Sequence, residues 1–274
     1  MATRFYLPSS GTAPVTPSYD AGWEDTSIAV RLNATTYKES TAMTTVSFAD
    51  ATNTNKDILF RQYITPPIVA QTIAAQTLKF QIRGAERIAG NNMFTAIGAR
   101  VVSNDGITVV GTLLAVTKDG LEVDASTTLE NRLFSATTTQ VIANEGDRIV
   151  IEIGTGGDPA NTGGADHDSD LRIGDVAASD LAEDDTTTTD NNPWVEFTTL
   201  TMRNVDYKLS RVSDDGINTT IVYRVYKNDG GSIRSSVLST ETKILSGSNT
   251  LAQCRTNLND NECFKWGIPI STQQ

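Results

Sequence analysis

The sequence predicts an all-β protein: a jelly-roll-like β-sandwich with an extended N-terminal arm and a small C-terminal β appendage. Three observations lead there. Charged residues make up only 20% of the 274, below the usual quarter, and threonine takes much of the missing share. Thr and Val lose rotamer freedom in helices and suit pleated, half-buried surfaces. Short alternating apolar runs recur at regular intervals, separated by Gly, Asn and Asp turn residues, and no segment sustains a helical period beyond two turns.

Residues 1–23 read as the arm. Pro8, Pro14 and Pro17 punctuate it before Trp23, and because proline fixes φ and removes a donor, no regular strand is expected there. Such an arm can pack on its own domain or on a neighbour. Residues 24–203 read as the sandwich. Candidate strands begin with Ser27–Leu32, Met43–Phe48 and Asp57–Ile64, the last stopped by Pro66-Pro67. Gln76–Gly84 places Leu78, Phe80 and Ile82 on one face. Met93–Val102 and Thr108–Val116 flank an Asn104-Asp105-Gly106 turn, and Arg132–Thr137 and Thr139–Ile142 follow. Glu145-Gly146-Asp147 turns the chain into Arg148–Gly154, with Ile149, Ile151 and Ile153 aligned, and Leu171–Gly174 and Trp194–Leu200 close the series. The last of these is expected to pair in the same sheet as Ile149–Ile153, leaving 154–193 as a long excursion. Ile68, Val69 and Ile73 allow one short helix near Ile68–Ala75.

Residues 204–274 read as a β-rich appendage with strands at 204–212, 219–226 and 232–238. Asp214-Asp215-Gly216 and Asn228-Asp229-Gly230-Gly231 supply hairpin turns. So few large apolar side chains make a poor free-standing core, which suggests stabilisation by docking.

The net charge of −11 is not spread evenly. Between Asp158 and Asp190 there are ten acids and one base, Arg172, so this window holds −9 of the total. With no Lys/Arg cluster elsewhere, free nucleic acid is excluded as a partner. No run approaches 18 apolar residues, so no membrane-inserted helix is expected. The N-terminus lacks the apolar stretch of a signal peptide, which points to cytoplasmic synthesis. Cys254 and Cys263 are spaced so that a disulfide is possible, while cytoplasmic synthesis favours reduced thiols.

Catalysis finds little support in the residues. His167, the only histidine, sits in Ala165-Asp-His-Asp-Ser-Asp beside Ser169, and no Gly-x-Ser-x-Gly turn occurs. The acids offer no selected pair for glycoside hydrolysis. Two cysteines without further Cys or His cannot complete a zinc site, and Gly154-Thr-Gly-Gly lacks the lysine of a phosphate loop. No cofactor is expected, with one exception: Asp166, Asp168, Asp170 and Asp175 present hard oxygen ligands at alternate positions, a pattern suited to Ca²⁺. It lacks the central glycine and bidentate glutamate of an EF-hand, and the loop otherwise reads as solvated. Trp23, Tyr37, Tyr63 and Trp194 are candidates for a sugar-binding platform. Trp194 reads better as core, since Val195 and Phe197 alternate with it.

Ala2-Thr-Arg-Phe-Tyr-Leu-Pro, Ala13-Pro-Val-Thr-Pro and Trp23, together with Asp170-Leu-Arg-Ile-Gly-Asp-Val-Ala-Ala-Ser-Asp-Leu and Asn192-Pro-Trp-Val-Glu-Phe, resemble tailed-phage virion structural proteins over residues 1–203. The resemblance implies a virion component without settling which one. The Pro-rich arm and the poorly cored appendage are parts that neighbours can complete, so assembly with copies of itself and other virion proteins is expected, in an exterior position such as head decoration or a tail or neck attachment. Residues 204–274 carry no such likeness. The other expectation is a carbohydrate-binding adhesin that takes host surface glycans through exposed aromatics and the 154–193 loop.

Overall fold

The computed structural model describes residues 2–36, 38–49, 56–87, 92–123, 128–157, 168–185, 189–202, 205–227, 237–250 and 253–254. The chain divides into two compact units, Met1–Thr201 and Met202–Gln274. Residues 1–23 belong to the first, and the boundary expected at 203/204 falls at 201/202.

The first unit is built from β1 (Thr3–Tyr6), β2 (Val30–Asn33), β3 (Thr44–Phe48), β4 (Asp57–Ile64), β5 (Gln71–Ile73), β6 (Thr77–Glu86) and β7 (Met93–Val102). It continues with β8 (Val109–Lys118), β9 (Glu130–Thr137), β10 (Val141–Ala143), β11 (Arg148–Gly157), β12 (Ser169–Ile173) and β13 (Trp194–Phe197). One sheet is ordered β2-β4-β11-β7-β8, with β2 parallel to β4 and the rest antiparallel. The second is six-stranded and centred on β6. One edge of β6 pairs with β9 along Thr77–Gly84. Its other edge is shared end to end: β13 pairs with Leu78–Gln81 and β12 with Arg83–Glu86. Beyond them lie β1 against β13 and β3 against β12. A small ribbon joins β5 and β10.

The inner face follows from the alternation. Cross-strand register puts Phe5, Val195, Phe80 and Phe134 in one row of the six-stranded sheet, all buried, with Phe5 meeting Phe197 edge to face at 6.1 Å. Ile149, Ile151 and Tyr63 face them from the other sheet, fully buried. A buried hydroxyl pair, Thr155 Oγ1 with Ser169 Oγ at 2.8 Å, links β11 to β12 across the sandwich. The expected turn into β11 is present: Gly146 adopts φ 91° and Asp147 N donates to Asn144 O at 3.2 Å.

Four expectations change. Thr3–Tyr6 is a strand, because the prolines begin only at Pro8 and leave its amides free for the ladder with β13. The segment 68–75 is not a helix: Gln71–Ile73 pairs with β10, and Ile68 exchanges backbone bonds with Asp147 and Gly146. The extended path still buries Ile68 and Ile73, which is why those positions mimicked a helical face. β13 and β11 lie in opposite sheets, not in one. The 154–193 excursion is shorter than expected, since β11 runs on through a bulge at Ile153/Gly154 to Gly157.

The second unit holds β14 (Val205–Asp214), β15 (Asn218–Lys227) and β16 (Val237–Ser246), an antiparallel sheet in that order. The Asp214–Gly216 turn is formed, with Gly216 at φ 85° and Asp215 Oδ1 accepting from Ile217 and Asn218 amides. The third strand lies later than the expected 232–238, of which 232–236 fall outside the described residues. Ile221, Leu245, Thr219 and Cys254 are buried here, while Ile217 and Ile244 are exposed. Cys254 is a free thiol; Cys263 falls outside the described residues.

Candidate functional site: two covered sheet faces

In a two-sheet sandwich the outward positions normally meet water. Here the middle of each outer face is covered by the chain's own segments, while Thr45, Ser47 and Ser135 at the margins stay exposed.

The five-stranded sheet turns Ile64, Val102 and Val150 outward, and Ala13 and Val15 pack on them. One step along the strands, Glu152 aligns with Gln62 and stands beside Arg100. Further along, Leu59 and Ala96 carry Trp23, with Tyr19, Ala29 and Val116 around it. Residues 13–29 thus form a strap across the face. Its centre is polar. Glu152, 1% exposed, accepts from Gln62 Nε2 at 2.8 Å, Arg100 Nη2 at 2.9 Å, Trp23 Nε1 at 3.0 Å and Asp20 N at 3.1 Å. Arg100 also reaches Asp20 Oδ2 at 3.2 Å, and Ser18 O accepts from both Gln62 and Arg100. A buried carboxylate is tolerated only when paired and fully hydrogen-bonded, and half of its donors come from the strap.

Three of the rows that the six-stranded sheet turns outward matter here. Arg4, Glu196 and Lys79 form one; Tyr6, Trp194, Gln81 and Leu133 the next; Thr45, Arg172, Arg83 and Asn131 the third. This face is basic and aromatic, with the Arg4 guanidinium 3.7 Å over the Trp194 ring. The acidic segment lies on it. Asp180 accepts from Arg4 Nη1 at 2.5 Å and Tyr6 Oη at 3.1 Å, and pairs with Lys38 Nζ at 2.6 Å. Glu183 pairs with Lys79 at 2.8 Å. Asp190 lies between Arg83 and Arg172. Asp185 Oδ1 accepts the Leu133 amide of β9 at 2.7 Å, so a strand edge is capped as well. Burial opposes ionisation of Asp180, but the bonds from Lys38, Arg4 and Tyr6 prevail and hold its carboxyl below the usual range. Burial and the neighbouring Asp180 charge push the Tyr6 phenol up to about 12.

Among the described residues, most acids of the window expected to be solvated are therefore paired with bases of the same chain. Asp168 and Asp170 both face Arg87, at 3.8 Å each. Asp175 lies past the other end of β12, 5% exposed, where its Oδ1 accepts the Ala177 amide at 2.6 Å. Asp166 and His167 fall outside the described residues. Among the described residues, no group of three or more His, Cys, Asp or Glu side chains is arranged to hold a metal. The aromatic platform is overturned for three of its four candidates: Trp23 (5% exposed), Tyr63 (0%) and Trp194 (0%) are buried. Tyr37 falls outside the described residues. Sequence reasoning passed over Glu152, Arg100, Arg4 and Lys79. The one available signal was a single carboxylate, Glu152, inside the apolar run of β11.

No family model matches the sequence, and no curated protein matches it. Among solved structures, two crystal structures of a CocE/NonD family hydrolase from Staphylococcus aureus align at TM-scores of 0.40 and 0.41 with 6% identity. The alignments cover 72% of this chain and 36% of that one, so the chain spans about a third of the hydrolase's length. Likeness at that level assigns neither fold nor activity.

Proposed function

We propose that the chain is a non-catalytic structural component of a phage virion, placed on the exterior as a head decoration or a tail or neck attachment, and that it acts by assembly with copies of itself and other virion proteins. One observation carries the assembly reading: the chain covers the middle of both outer faces of its own sandwich, leaving partners chiefly the rims and the second unit. In that unit, among the described residues, β14 and β16 are paired on one side only, and Ile217 and Ile244 are 74% and 66% exposed. One-sided ten-residue strands with exposed apolar side chains are surfaces that strand pairing between subunits would bury. The arm, by contrast, is engaged within its own unit. The sequence resemblance over residues 1–203 supports the virion location.

The test is immunogold labelling of purified particles, paired with sedimentation of the full chain and of residues 1–201. Label on the particle surface, with self-association that needs residues 202–274, is the expected result. Absence from particles, or a monomeric full chain that binds glycans on an array, would overturn the reading.

A further inference from the structure

Three Asp-Gly pairs lie among the described residues: Asp105-Gly106, Asp119-Gly120 and Asp215-Gly216. In such a pair no Cβ shields the glycine nitrogen, and glycine lets the joining peptide rotate. That nitrogen can then close onto the aspartate Cγ. The three turns share one feature. Each carboxylate Oδ1 accepts the amide two residues on, from Ile107 at 3.0 Å, Leu121 at 3.2 Å and Ile217 at 2.8 Å. Charge does not separate the turns at 105 and 215. Asp105 is held below the usual carboxylate range by the Ser103 hydroxyl and the Ile107 amide, and Asp215 by the Asn218 and Ile217 amides. Packing does separate them. A Cβ on Gly106 would lie 2.9 Å from Val15 Cγ2 and 3.2 Å from Pro17 Cγ, so the strap sits directly on that turn. The Asp119 side chain is 8% exposed and paired with Arg132. A Cβ on Gly216 would meet nothing within 4 Å, and both residues of that pair are exposed. The glycine N–H groups differ as well. Gly106 N donates at 2.8 Å to a carbonyl, Ser103 O, which does not take up a proton. Gly216 N donates at 2.8 Å to a carboxylate, Asp214 Oδ1, which does.

We infer that Asp215-Gly216 is a self-modification site, at which the folded chain rearranges through a cyclic imide to isoaspartate, while Asp105-Gly106 and Asp119-Gly120 are held against the same reaction by packing. Gly216 N bonds to Asp215 Cγ in its protonated form, and Asp214 takes the amide proton. Asp214 returns that proton to the departing hydroxyl, which leaves as water. The imide then takes up one water. Opening at the side-chain carbonyl restores aspartate, and opening at the main-chain carbonyl leaves the chain running through the side chain. No atom is gained or lost overall, and water is the only co-reactant. The product has one more methylene in the main chain and no Oδ1 to accept the Ile217 and Asn218 amides. It therefore loosens the tip where Asp214 faces Thr219 across β14 and β15. The inference goes beyond the assembly reading and does not rest on it.

The experiment ages the full chain for several weeks at neutral pH, folded and in urea, and maps isoaspartate peptide by peptide with an isoaspartyl methyltransferase and mass spectrometry. In the folded chain isoaspartate at Asp215 should exceed that at Asp105 or Asp119 by about tenfold, the ratio given by a barrier difference of about 1.4 kcal/mol. In urea the three sites should react at similar rates, because packing no longer ranks them. Asp214→Asn should slow the folded reaction at Asp215 by about tenfold or more. Val15→Ala, which uncovers Gly106, should raise isoaspartate at Asp105 and leave Asp215 unchanged. If Val15→Ala fails to fold, the comparison with urea still tests packing as the cause. Equal or reversed ranking in the folded chain overturns the site. A ranking that persists in urea overturns packing as its cause, and an unchanged rate in folded Asp214→Asn overturns the role of that carboxylate.

Discussion

The indole N–H of Trp23 donates to Glu152 Oε2 at 3.0 Å, across 129 residues of sequence. This bond ties the end of the N-terminal strap to a carboxylate in the middle of β11. It makes the strap part of the fold, because Glu152 faces Arg100 and Gln62 in a place that the strap closes to water. Glu152→Ala leaves the Arg100 guanidinium buried without its main partner and should cost about 3–5 kcal/mol, read from urea unfolding midpoints. A loss under half that would mean the strap does not exclude water.

Deleting residues 2–23 removes β1 together with residues 13–23 of the strap. Phe5, Leu7 and Trp23, all buried, go with it, and so do the Asp20 and Trp23 donors to Glu152. The truncated chain should lose cooperative unfolding and show fast amide exchange in β4 and β11. A truncated chain that melts like wild type would show the arm to be dispensable for the fold and free for a neighbour.

Gly154 sits at the bulge of β11, where a Cβ would lie 1.9 Å from Ile58 O and 2.8 Å from the Trp23 ring. Gly154→Ala should therefore destabilise by about 1–3 kcal/mol or more, since the nearest obstacle is backbone. Gly120 has nothing within 4 Å of the same construction, and Gly120→Ala should leave the thermal midpoint nearly unchanged. Calorimetry of the two variants side by side makes the comparison.

The Asp180 clamp has a pH signature on each side. The Asp180 carboxyl titrates below its ordinary 3.8 in the folded chain, so the folded state binds fewer protons there than the unfolded state. Its stabilisation is complete above about pH 4 and is lost as pH falls through the depressed value. The Tyr6 phenol is raised from 10.0 to about 12, so its contribution is complete below pH 10 and is lost as pH rises toward 12. Stability of wild type minus Asp180→Asn should shrink on the acid side, and wild type minus Tyr6→Phe on the alkaline side. Differences flat in pH would refute the clamp.

Trp194→Phe keeps most of the buried ring and removes the donor to Leu181 O. An unsatisfied carbonyl costs about 1–3 kcal/mol when water cannot reach it. Proteolysis within 176–185 should accelerate in this variant, with the strands of the sandwich still protected.

Much of the first unit was legible because its cause is local. Met93–Val102 forms the strand that its apolar, β-branched run predicts. Leu78, Phe80 and Ile82 share the inner face that their spacing predicts, and Gly146 makes the turn into β11. Trp194 is core, as its alternation with Val195 and Phe197 implied. The sequence by itself thus determined an all-β chain, most of its strands, one face of each sheet and the place of its negative charge. Periodicity reports which side chains share a face, not what covers the other one. Val150 and Glu152 alternate with Ile149 and Ile151, so they lie on the other face of the strand; residues 13–29, brought back from the far end of the chain, bury them. The acids at 180–190 looked like an uncompensated loop, because Arg4, Lys38, Lys79 and Arg83 lie about 100 or more positions away and only strand pairing gathers them onto one face. Tertiary structure decided those partnerships, since a buried or closely held charge is settled by the groups that fold around it and not by its neighbours in sequence.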